Sequence, residues 1–218
     1  MTVDGEDVQP PVRERLINSP WTSLAVVASI LLSYAWQAGW GGGEAAGDAL
    51  GFRPADLDQG RWWTLLTVVL VHGGWPHAIM NALGALAFGA PVARLMGSGA
   101  RGALGFFAFY LLSAALSSLG YAVLHLHDVN PVVGASGAVS GLMGAASRLF
   151  GRGDQLAPIW SRPVISLGAS WVIVNTLMAV FGATPFMPGA MIAWEAHIAG
   201  FLAGVLLIGP TARLFGSR

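Results

Sequence analysis

Six apolar stretches, at residues 21–39, 76–95, 102–124, 134–150, 164–183 and 192–209, constrain this chain more than any other feature. A helix crosses the hydrocarbon core of a bilayer with about 20 apolar residues, and each stretch meets or approaches that length. Only 10% of the 218 residues are charged, against about 25% in soluble domains, so the polar surface needed to coat a water-soluble globule is missing. The fourth and sixth stretches are short and Gly-rich, as suits helices buried among others. The expected fold is all-α, a polytopic bundle of six transmembrane helices. A membrane domain at 21–210 is flanked by an N-terminal segment, 1–20, and a tail, 211–218. No internal repeat and no separate soluble domain is visible.

The connection 40–75 is long and divided in character. Its start (GGGEAAGDALGFRPADLDQG) is polar, and its end (RWWTLLTVVLVHGGW) is amphipathic but too short to span. The second half reads as a helical segment at the membrane interface, with Trp62, Trp63 and Trp75 at headgroup depth. The net charge is zero and no basic run occurs, so nucleic acid is not an expected partner. Cysteine is absent, which excludes disulfides and thiolate metal sites. The first eighteen residues include Asp4, Glu6 and Asp7, unlike a secretory signal or an acid-poor transit peptide.

Arginine positions set the expected orientation. Arg13, Arg15, Arg94, Arg101, Arg148, Arg152, Arg162, Arg213 and Arg218 fall before the first stretch, after the last, or at and between the facing ends of the second and third stretches and of the fourth and fifth; only Arg53 and Arg61 fall on the opposite side. Nine against two puts both termini in the cytoplasm of a multi-pass protein of the cell membrane.

With that topology the second, fourth and sixth helices begin at the outer face, and there the unusual polar residues gather. The second opens on VHGGWPHAIMNALG with His72, His77 and Asn81; the fourth on GASGAVSGLMG with Ser136 and Ser140; the sixth on WEAHIAGFLAG with Glu195 and His197. Polar groups inside a span face the bundle interior and mark function. Gly137 with Gly141, and Gly200 with Gly204, form small-xxx-small pairs that let two helices approach closely. If those faces meet, the geometry allows a Ser136–His197 hydrogen bond, and the imidazole can then take the hydroxyl proton during attack on a carbonyl. Ser136 also sits in the first turn of its helix, where backbone N–H groups lack intrahelical acceptors. Together with the His77 ring and the Asn81 amide, which share one helix face, these donors can hold an oxyanion.

These motifs resemble those of rhomboid proteases of the basic six-helix bacterial type. The family's G-x-S-G is matched by Gly134-Ala135-Ser136-Gly137, its A-H-x-x-G-x-x-x-G by Ala196, His197, Gly200 and Gly204, and its H-x4-H-x3-N by His72, His77 and Asn81. The resemblance runs from about Trp62 to Pro210. It implies an intramembrane serine endopeptidase with a Ser136–His197 dyad, no third acid and no cofactor. It further implies an oxyanion site of His77, Asn81 and the Ser136 amide, and substrates that are transmembrane proteins cut near the outer face. His72, ahead of the helix, is read as a loop tie, and Gly134, Gly137, Gly200 and Gly204 as supports. The segment 184–191 (TPFMPGAM) is expected to cap the site. Two positions depart from the family pattern: Thr64 stands where an Arg usually follows Trp63, with Arg61 upstream, and Ser140 stands where an aromatic usually packs against the base.

Other readings are weaker. A serine in a membrane helix ordinarily bonds the carbonyl one turn back, so Ser136 stands out only through GASG and the histidine motif. His125, His127 and Asp128 lack a fourth ligand and read as a solvated outer loop, so no metal is expected. Glu195 is two residues from His197, and residues two apart on a helix do not face each other. A transporter would show midplane ionisable residues and repeats. A catalytically inactive relative that binds transmembrane segments would lack part of the Ser–His–Asn set. The oligomeric state stays open.

Overall fold

A computed structural model describes residues 19–39, 43–153, 155–181 and 192–216. The expected cap at 184–191 lies outside the described residues. Within them the chain forms eight α-helices: α1 (Trp21–Gly39), α2 (Gly43–Leu50), α3 (Thr64–Thr67), α4 (Trp75–Met96), α5 (Ala100–Leu124), α6 (Ser136–Ser147), α7 (Arg162–Phe181) and α8 (Trp194–Phe215). There is no β-strand among the described residues, only one isolated antiparallel bridge between Phe52 and Val132. Five helices, α1, α4, α5, α7 and α8, are long and apolar enough to cross a membrane.

α6 is different. The sequence marks 134–150 as a span, yet the helix occupies 12 residues, about 18 Å at 1.5 Å per residue, and a hydrocarbon core is about 30 Å thick. It lies at the centre of the bundle between α4, α5 and α8, and every residue from Ser140 to Ser147 is buried. Small residues make this possible. A Cβ on Gly204 would overlap the Gly141 carbonyl, one on Gly200 the Gly137 carbonyl, and one on Gly144 the Phe201 carbonyl, so α6 and α8 touch backbone to backbone. On its other side α6 meets α5, where a Cβ on Gly137 or Gly141 would run into Ser117 or Ser113. Helices in lipid gain little from hydrophobic burial, and close packing of this kind is what holds them together.

The two peripheral helices, α1 and α7, differ in how closely they attach. α1 packs along α4, with the Ser23 hydroxyl donating to the Ala85 carbonyl at 3.2 Å. α7 buries only Val164 and Asn175. Leu83, Leu104, Ile173, Leu202 and Leu206 are all exposed, an apolar belt that fits acyl chains. α8 runs six residues past the expected end at 209. Pro210 lies inside it, as membrane helices tolerate, and Arg101 reaches across from α5 to the Leu214 carbonyl near its end.

The first loop folds back on itself. Its second half forms α3 and a 3₁₀ turn at Val68–Leu70, with Leu65, Val68 and Val69 buried and Trp62, Trp63 and Trp75 exposed. Asp56, 1% exposed, accepts from Arg61 Nη1 at 2.9 Å, while Arg61 Nη2 donates to the carbonyls of Asp48 and Ala49. An ion pair with one buried member and additional backbone acceptors holds geometry better than an exposed pair.

Candidate active site

Ser136 is delivered to the centre of the bundle by a segment stitched to the first loop. Phe52 and Val132 exchange backbone hydrogen bonds of 3.0 and 2.8 Å, Gly134 N–H donates to the Val68 carbonyl at 3.1 Å, and Ala135 N–H reaches His72 Nε2 at 3.4 Å. Gly134 has φ +118, a region that favours glycine, and a Cβ there would stand 2.6 Å from the His77 ring. Only glycine fits. Directly after it α6 begins, so the Ser136 hydroxyl and the free N–H groups of the first helical turn share one spot.

His197, in the first turn of α8, meets Ser136 there. Its Nε2 lies 2.8 Å from Ser136 Oγ, the separation of a hydrogen bond. The other ring nitrogen, Nδ1, lies 2.6 Å from Asn175 Oδ1 on α7. Trp171, one turn earlier on α7, sets its ring 5.8 Å from the imidazole, tilted by 33°. Ser117 of α5 donates to the Ala196 carbonyl at 2.7 Å and ties down the backbone beside His197.

On the far side of Gly134 stands His77. Its Nδ1 accepts from Gly73 N–H at 3.3 Å; in the neutral ring this leaves Nε2 as the protonated donor, on the edge that covers Gly134 near Ser136 Oγ. Asn81, one turn along, is 4% exposed and its Nδ2 donates to the His77 carbonyl at 3.0 Å. His72 stacks edge-on against His77 with centroids 5.2 Å apart. Burial, with His77 beside it, pushes the His72 pKa down to about 3, so its ring is neutral and can accept from Ala135. The His72 backbone is held by Gln37, which accepts from its N–H at 3.0 Å and donates to its carbonyl at 2.9 Å.

The remaining polar residues go elsewhere. Glu195 pairs with His125 at 2.9 Å, His127 with Asp58 at 3.2 Å, and Asp128 accepts from Asn130 and from the Tyr121 hydroxyl. Ser140, 1% exposed, donates its hydroxyl to the Ser136 carbonyl at 2.7 Å, the back-bond ordinary for serine in a helix. Sequence reasoning missed Asn175 and Trp171. The available signal was a single amide in the apolar run 164–183, where a polar group needs a buried partner.

An all-helical bundle with membrane-spanning helices and an internal polar cluster defines an integral membrane protein. The family model of the Rhomboid domain matches residues 59–213, and the chain belongs to the rhomboid family. It is 28% identical over 166 residues to Rhomboid protease GluP of Bacillus subtilis, covering 74% of this chain and 29% of that protein. It is 29% identical over 151 residues to Putative rhomboid protease YdcA of the same organism, covering 68% and 67%. It is 33% identical over 139 residues to Rhomboid protein 1, mitochondrial, of Saccharomyces cerevisiae, covering 62% and 38%. The chain thus spans less than a third of GluP and about two thirds of YdcA.

Proposed function

We propose that this protein is an intramembrane serine endopeptidase that cuts transmembrane segments of other membrane proteins, with Ser136 as nucleophile and His197 as general base. The observation that carries the reading is the 2.8 Å Ser136 Oγ–His197 Nε2 contact at the start of α6. In this reading Ser136 Oγ attacks the scissile carbonyl while its proton passes to His197 Nε2. The carbonyl oxygen, now an oxyanion, takes hydrogen bonds from the first-turn N–H groups of α6, from His77 Nε2–H and from the Asn81 amide. His197 then gives the proton to the leaving amine as the C–N bond breaks, leaving an acyl-Ser136 ester. A water deprotonated by His197 hydrolyses the ester and regenerates the hydroxyl. No step calls for a metal or cofactor.

α6, continued by the segment that precedes it, serves as the sixth pass of the bundle. The arginine bias then puts both termini in the cytoplasm and opens the site toward the outer face of the cell membrane. Cleavage of a model transmembrane substrate in proteoliposomes tests the reading. Ser136→Ala and His197→Ala should each abolish cleavage, and a fluorophosphonate should label Ser136 only when His197 is present. Full activity in either variant ends this mechanism. A reporter fused after Phe215 should read cytoplasmic, and an external reading reverses the orientation.

A further inference from the structure

We infer that Asn175 is the positioning residue of His197, making the site a Ser–His–Asn array in which α7 fixes the tautomer of the base. The inference rests on the reading of Ser136 and His197 as nucleophile and base. Asn175 is 0% exposed on a helix that otherwise buries only Val164. A buried amide is costly unless its hydrogen bonds are made, and here both ends are engaged. Nδ2 donates to the Trp171 carbonyl at 2.9 Å, one turn back, and Oδ1 lies 2.6 Å from His197 Nδ1.

The amide cannot be turned round. Flipped, its oxygen would face the Trp171 carbonyl, acceptor against acceptor. With Oδ1 toward the ring, Asn175 offers His197 only an acceptor, so Nδ1 must carry the proton. Nε2 is then the lone-pair nitrogen, and it is Nε2 that faces Ser136 Oγ. A base with the proton on the other nitrogen could not accept from the serine. As the imidazole becomes imidazolium during attack, Nδ1–H···Oδ1 becomes a charge-assisted bond and strengthens, an interaction worth more in the transition state than in the ground state. Trp171, packed against the same ring, limits its rotation. The other groups near the ring are Ser136 on α6 and, across Gly134, His77 on α4. Glu195, on α8 itself, is paired with His125 at the end of α5.

The test compares Asn175→Leu, alike in its branching at Cγ but without an acceptor, with Asn175→Asp, which keeps one. The purified full chain in detergent is assayed for kcat and KM on a transmembrane substrate, for the fluorophosphonate labelling rate of Ser136, and for the tautomer of His197 by ¹⁵N NMR. Asn175→Leu should lower kcat and labelling about 10–100-fold, the worth of one hydrogen bond to a charged group, with KM within about twofold and the two tautomers mixed. Asn175→Asp should stay within about tenfold of wild type, and the acid limb of its rate profile should move to higher pH because a carboxylate stabilises the imidazolium. Wild-type kcat in Asn175→Leu, or an equal fall in both variants, overturns the inference, the second outcome by assigning Asn175 to packing. Should Asn175→Leu fail to fold, the wild-type spectrum decides, since a ring protonated at Nε2 overturns the inference. If wild type neither cleaves nor labels at Ser136, the protease reading falls instead, and the tautomer still judges the Asn175 bond.

Discussion

Adding one methyl group at Gly204 tests whether the α6–α8 contact holds the chemistry in register. The new Cβ would overlap the Gly141 carbonyl oxygen and stand 2.6 Å from its carbon and 2.8 Å from its Cα. Carbon atoms in contact prefer about 3.5–4.0 Å, so the helices must separate locally by about 1 Å. Every atom met is backbone, and no side chain can swing aside. Overpacking of this sort costs about 1–3 kcal/mol. His197 lies two helical turns from Gly204 on the same face, so the separation also stretches the 2.8 Å Ser136–His197 contact. A misplacement of about 1 Å can lower turnover roughly 10²-fold. Gly204→Ala should therefore lose thermal stability in detergent and fall about 100-fold in kcat, while KM moves little. Gly39→Ala is the control, because nothing lies within 4 Å of a Cβ there. Wild-type melting and turnover in Gly204→Ala would refute the claim that this contact sets the site's geometry.

Three further outcomes are expected. His77→Ala and Asn81→Ala should each cut kcat about 10²–10³-fold, as loss of an oxyanion donor does, with substrate binding nearly intact; parallel loss of binding would assign them to structure. Ser140→Ala should keep turnover within about tenfold, roughly 1.4 kcal/mol of barrier, and an inactive Ser140→Ala beside an active Ser136→Ala would exchange the two serines' roles. His72 has a folded pKa pushed from 6.5 to about 3, so below pH 6.5 the unfolded chain binds a proton that the folded chain refuses, and stability falls as pH drops toward 3. At pH 5 that amounts to about 2 kcal/mol; His72→Gln should flatten the acid decline in melting temperature, and an unchanged slope would remove His72 as its source.

Much of the fold was legible because the long spans are specified locally. α1, α4, α5 and α7 follow runs of apolar residues whose ends are marked by glycine, proline or charge, and the structure starts or ends them within two residues of those marks. Two limits were not local. α6 stops at Ser147 although the apolar run continues to Phe150, and the composition of Gly, Ala and Ser reads alike whether lipid or protein surrounds it. α8 passes Pro210 because a proline in a membrane helix removes one hydrogen bond without ending the helix, so the residue that reads as a stop is not one. At the site, Ser136, His197, His77 and Asn81 announce themselves through motif spacing. Asn175 does not, since its meaning depends on a partner 22 residues away on a helix whose rotation the sequence leaves unspecified.

The two departures from the family pattern are explained by what the neighbouring residues do. Where an Arg usually follows Trp63, Thr64 turns inward, buried, and its hydroxyl donates to the Arg61 carbonyl at 2.7 Å. The Arg61 side chain meanwhile clamps Asp56 and the end of α2. The cation is thus kept three residues earlier, at the place where the loop turns back on itself. Ser140 follows the same logic on the other side of the site. It is buried against α8, its Cβ 3.3 Å from where a Cβ on Gly200 would stand, and α6 and α8 lie too close there to admit an aromatic ring. In the proposed mechanism His197 still needs a wall, because an imidazole free to rotate would lose both its tautomer and its aim. That wall comes from α7 as Trp171, with Asn175 one turn on to hold Nδ1. With these two residues α7 becomes the third helix to meet the Ser136–His197 pair, beside the two glycine-lined helices in backbone contact.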